Sequence, residues 1–170
     1  MKKLFKILGG FLAVILLLFI IFSAWYVIKF YPRHAEDQEF GNPEFSKRVI
    51  IATQGSDYKN EVVQRLADRL SAHPVYIKVT DVSNLDFVVP EAWSNIVILN
   101  TSIADRMNSH ARQFLDMVGP TDKIIVITTS GGGDFTPPNL EVDGITTASR
   151  LSETEAMVKR IFQFIRSGKA

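Results

Sequence analysis

The stretch Val126-Ile127-Thr128-Thr129-Ser130-Gly131-Gly132-Gly133-Asp134-Phe135 sets three hydroxyl residues and three glycines directly after an apolar run. Glycine reaches backbone angles closed to other residues and lets a ligand approach the main chain. Hydroxyls and free amides at such a bend can cradle a phosphate. The plain alternative is a turn whose hydroxyls bind their own backbone. A second stretch of the same kind, Thr53-Gln54-Gly55-Ser56, follows the apolar run Val49-Ile50-Ile51-Ala52. A third, Asn100-Thr101-Ser102-Ile103, follows Ile96-Val97-Ile98-Leu99.

Other chemistries find less support. The 170 residues contain no cysteine, which excludes disulfides, iron–sulfur ligation and thiolate zinc sites. His34, His73 and His110 lie far apart, without metal-site spacing. Asp134, Glu141 and Asp143 surround a Pro-rich loop and read as solvated, so no metal is assigned. Ser130 as a hydrolytic nucleophile lacks the first glycine of Gly-x-Ser-x-Gly, and only His110 offers a base. No Lys-Ser/Thr follows the glycines, as a nucleoside-triphosphate loop requires. A net charge of +1 makes no electrostatic case for nucleic acid.

The elements that must position these loops begin after an apolar N-terminus. Residues 7–28 carry no charge, enough for a helix through the hydrocarbon core, and Trp25 and Tyr26 sit near its end. The apolar tract exceeds a usual signal-peptide core, so an uncleaved signal anchor is expected at 1–28, with cleavage as the alternative. Lys2, Lys3 and Lys6 precede the span; Lys29 and Arg33 follow it. This balance predicts a single-pass protein with a cytoplasmic N-terminus and its main domain outside the cytoplasm. Residues 29–47, with Pro32, Gly41 and Pro43, read as a linker.

Residues 48–170 alternate short apolar runs with amphipathic helices. The runs are Val49-Ile50-Ile51-Ala52, Val75-Tyr76-Ile77-Lys78-Val79, Ile96-Val97-Ile98-Leu99, Ile124-Ile125-Val126-Ile127 and the weaker Gly144-Ile145-Thr146-Thr147-Ala148. Helices are expected through Tyr58, Val62, Val63, Leu66 and Leu70, capped by Ser56 or Asp57, and through Met107, Ala111, Phe114, Leu115 and Val118. A third, through Met157, Ile161 and Phe164, is expected to open on a capping box from Ser152 to Glu155. This alternation predicts a three-layer, doubly wound α/β domain with a parallel sheet. Right-handed crossovers gather the loops after the strands on one edge, where ligands bind in such sheets.

The order strand, TQGS, helix, strand, short crossover, strand, helix, strand, TTSGGG, strand, helix resembles the flavodoxin-like fold over about residues 48–166. The Thr128-Thr129-Ser130-Gly131-Gly132 loop is similar to the one bordering the isoalloxazine ring in flavin-dependent quinone reductases. The resemblance implies strand order 2-1-3-4-5 and FMN as cofactor. The implied cradle is Thr53, Gln54, Gly55, Ser56, Thr101, Ser102, Thr128, Thr129, Ser130, Gly131 and Gly132. It implies electron transfer or quinone reduction with a quinone or redox protein as partner, and the apolar N-terminus adds a membrane anchor with the bilayer as partner. The departures are a phosphate loop poor in hydroxyls, Asp57 beside it, and no aromatic in the second loop. They leave open a non-catalytic binding or scaffold module that keeps the fold without flavin. Trp93 precedes its strand and is expected to pack at the crossover.

Overall fold

The computed structural model describes residues 2–30 and 33–167. Chain contacts divide into two units, at 1–32 and from residue 33 onward. In the first, helix α1 (Lys2–Phe30) includes the apolar span Lys6–Ile28, long and apolar enough to cross a membrane and not buried against protein.

The second unit is built on a six-stranded sheet of β1 (Gln38–Phe40), β2 (Lys47–Thr53), β3 (Val75–Asp81), β4 (Asn95–Thr101), β5 (Ile124–Ser130) and β6 (Asp143–Ala148). The order is β1-β3-β2-β4-β5-β6. Strands β2 to β6 are parallel and run 2-1-3-4-5 among themselves, as the resemblance implies. Their near-continuous apolar runs follow from burial on both faces. Val49, Ile51, Val97, Leu99, Ile125 and Ile127 face helices α2 (Asp57–Leu70) and α4 (Thr154–Ser167). Ile50, Ala52, Ile96, Ile98, Ile124 and Val126 face helix α3 (Ser109–Val118) and the 3-10 turn Val82–Phe87. Each fully buried Ile or Leu contributes about 1.5–3 kcal/mol. Trp93 stacks on Tyr76 at 6.2 Å in the crossover, with Arg48 over both rings.

The structure departs from the sequence-based expectation in two places. Part of the expected linker belongs to the domain: β1 pairs antiparallel with β3, Gln38 opposite Val79 and Phe40 opposite Ile77. Residues 31 and 32 of that linker lie outside the described residues. The expected capping box does not form. A 3-10 turn, Leu151–Glu153, precedes α4, and Glu155 bonds Arg69 at 2.5 Å instead of reaching back to Ser152.

Candidate functional site

Strands β2, β4 and β5 end side by side, with Thr53 opposite Leu99 and Thr101 opposite Thr129. The three hydroxyl-rich loops therefore share the C-terminal edge of the sheet. What each residue does there is set by its hydrogen bonds.

The first loop is tied down by the chain itself. Gly55 donates its amide to the Arg33 carbonyl at 2.7 Å and accepts from the Arg33 amide at 2.9 Å. A Cβ on Gly55 would stand 2.8 Å from the His34 carbonyl oxygen. The residue is glycine because residues 33–34 cross directly over it. Ser56 caps α2 by accepting from the Lys59 amide at 3.3 Å. Thr53 is buried and donates to the Gln54 carbonyl. Gln54 bridges to the second loop, its Oε1 accepting from the Thr101 amide at 2.6 Å.

The crossing segment is held at a second point. The Asp81 carboxylate accepts from the Ala35 amide at 2.7 Å and from the Ser83 amide and hydroxyl, and lies 3.4 Å from His34 Nδ1. Burial pushes the Asp81 carboxyl up; these hydrogen bonds and His34 outweigh burial and hold it below the usual carboxylate range. Thr80 adds a 2.8 Å hydrogen bond to Asp37. Residues 33–37 thus form a strap across the edge at β2 and β3.

Beneath this edge lies Lys59, 1% exposed, on the same helix face as Val62, Val63 and Leu66. Its ammonium donates to Thr101 Oγ1. Burial lowers its pKa to about 7, against the opposing pull of Asp81. Sequence reasoning passed over this residue. The signal was a lysine in the first turn of a helix, at the apolar spacing of the residues after it.

In the second loop Ser102 donates its amide to the Thr129 carbonyl at 2.8 Å, and Ile103 and Arg106 close a small turn through Ala104 and Asp105, both at positive φ. In the third, Ser130 Oγ accepts from the Gly133 amide at 2.9 Å and the Phe135 amide at 3.5 Å, which occupies the lone pairs a nucleophile would use. Thr129 donates to the Asn100 carbonyl. The three glycines differ. Gly133 has φ +78°, and a Cβ there would meet the Ala148 amide nitrogen at 2.5 Å; the turn after β5, packed against the end of β6, requires it. A Cβ on Gly132 would meet the Asp134 carboxylate first, at 2.7 Å, and one on Gly131 would enter open space. Next to this loop, Asn100 Nδ2 and Thr128 Oγ1 are buried without hydrogen-bond partners, at paired positions of β4 and β5.

Among solved structures, the metal-soaked Flv1 flavodiiron core from Synechocystis sp. PCC6803 superposes with a TM-score of 0.53 at 8% identity, covering 74% of this chain. The fold is flavodoxin-like. This chain spans 36% of that protein's length. General stress protein 14 from Treponema denticola, solved in complex with FMN, aligns at 12% identity over 73% of this chain and 82% of its own. Its TM-score is 0.31, too low to bear on the fold. No protein-family model and no curated protein matches the sequence.

At the first loop, the backbone positions that would hold a phosphate are taken by the chain itself. The Gly55 amide is bonded to Arg33, the space over it holds the His34 backbone, and Ser56 Oγ takes the Lys59 amide. A phosphate at this loop would have to displace the strap.

Proposed function

We propose that this chain is a membrane-anchored module that keeps the flavodoxin-like fold and acts by binding, without flavin chemistry. The observation that carries this reading is the strap: the chain's own residues 33–35 stand over Gly55, where the fold would otherwise receive a phosphate. Such a domain presents its surfaces to partners while the Gly55 amide stays bonded to the strap. The anchor is residues 7–28, with the N-terminus cytoplasmic and the domain outside; the basic residues before the apolar span support that orientation.

The test is a titration of the full chain, in neutral detergent, with FMN, followed by flavin fluorescence and visible absorbance. No saturable quenching is expected. Saturable binding at micromolar levels would overturn this reading and support a second one, FMN binding with electron transfer or quinone reduction. Asn100 Nδ2 and Thr128 Oγ1 favour that second reading, since two buried polar atoms at the ends of β4 and β5 lack the partner that a ligand at this edge would supply. Loss of such binding on Gly131→Leu would assign it to that loop.

A further inference from the structure

Away from the loop edge, helices α2 and α4 border a cleft of about 1040 Å³. Its walls bring together Arg69 from the end of α2, His73 from the turn after it, and Lys159, Phe162 and Arg166 from α4. The Arg69 and Arg166 guanidinium carbons stand 5.9 and 5.7 Å from the Phe162 ring centre, and the His73 ring lies 5.7 Å from it. Stacking on one ring holds two planar cations in place, so little side-chain freedom is left to lose on binding.

The positive charge there is not balanced from within. Glu155 is the carboxylate of the cleft, and it is engaged with Arg69 at 2.5 Å and Arg65 at 3.9 Å. Arg166 and Lys159 have no carboxylate partner among the described residues. The crowding extends to Lys47, whose ammonium donates to the Ile165 carbonyl at the end of α4. Burial lowers the Lys47 pKa, and the neighbouring Arg166 lowers it further. Like charges held this close oppose the folded state unless an anion answers them.

We propose that the α2–α4 cleft is a binding site for a phosphate-bearing polyanion, gripped by Arg69, Lys159 and Arg166. Planar guanidiniums match phosphate oxygens bidentately, and the lysine adds a point charge. The cleft is larger than a single ion needs, which suits adjacent phosphates on a larger molecule. The site is independent of the strap and of whether flavin binds. The phosphates could belong to a soluble compound or to a lipid headgroup, and the experiment separates the two.

The full chain is placed in phosphatidylcholine nanodiscs and titrated calorimetrically with inorganic triphosphate. Saturable binding is expected. The exposed-site double variant Lys159→Gln/Arg166→Gln should weaken it by about tenfold or more. Arg160→Gln, an exposed change on α4 that does not line the cleft, should leave it unchanged. Repeating the titration in discs containing phosphatidylglycerol identifies the source: weaker triphosphate binding points to the headgroup, equal binding to a soluble ligand. Absence of saturable binding in phosphatidylcholine discs, or equal weakening by Arg160→Gln and the double variant, would overturn the proposal.

Discussion

Replacing Lys59 by methionine tests the account of the sheet edge most directly. Lysine normally loses its proton near pH 10.5; in the folded chain burial brings this to about 7. At 1.36 kcal/mol per pH unit, the charged form is disfavoured on folding by about 5 kcal/mol. The sign follows from proton counting. Between pH 7 and 10.5 the unfolded chain holds the proton and the folded one does not, so stability rises with pH. Below pH 7 both states are protonated and the slope from this group vanishes. Methionine removes that dependence and fills a similar space. It also leaves Thr101 Oγ1 without its donor, at a cost of about 1–3 kcal/mol. Lys59→Met is therefore expected to be more stable than the parent at pH 7 by about 2–4 kcal/mol, and that advantage should shrink by about 4 kcal/mol on reaching pH 10. Urea unfolding of both proteins in neutral detergent, at a series of pH values, measures the difference and cancels groups common to both. A difference that does not change with pH would refute the reasoning, as would a variant less stable at pH 7.

The glycines after β5 should separate under mutation. Gly133→Ala meets both a positive φ and the Ala148 backbone and should cost about 2–4 kcal/mol in urea unfolding, whereas Gly131→Ala should fall within about 0.5 kcal/mol of the parent. Equal effects would show that the turn is not what demands Gly133. Asp81, held below the usual carboxylate range, contributes stability above about pH 4 that is lost as pH falls through its folded value. Hydrogen-exchange protection at Ala35 and Gly55 should accordingly drop in acid, and Asp81→Ala should produce the same loss at neutral pH; retained protection in that variant would remove Asp81 as the clasp. A reporter fused after Ala170 should be active only outside the cytoplasm, and cytoplasmic activity would reverse the proposed orientation.

The parallel strands were legible because each is an apolar run covered on both faces, a pattern that survives without knowledge of the neighbours. Strand β1 was not. Gln38-Glu39-Phe40 has no run or alternation of its own and becomes a strand only because the edge of β3 is open beside it. The expected capping box failed for a similar reason. Glu155 has the right spacing to cap, yet Arg65 and Arg69 on the facing helix offer it a stronger partner than a backbone amide. At the loop edge the sequence marked where hydroxyls and glycines gather. It could not reveal that residues 33–35, twenty positions upstream of Gly55, would close over that loop. Nor did it distinguish Gly133, which the turn requires, from Gly131, which has room. Lys59 shows a charged residue on an apolar helix face whose partner, Thr101, lies two strands' ends away in sequence.

The way the strap is attached has a mechanical meaning. Strand β1 lies antiparallel on β3, and the chain before it is fastened at Gly55 and then at Asp81. A pull toward the N-terminus loads these fastenings in succession, from Arg33 onward, rather than all at once. Such peeling needs far less force than sliding the parallel strands of the central sheet past one another, where many bonds share the load. The strap would therefore yield first under a pull at residue 33 and leave β2 to β6 intact, uncovering the loop edge before the central sheet opens.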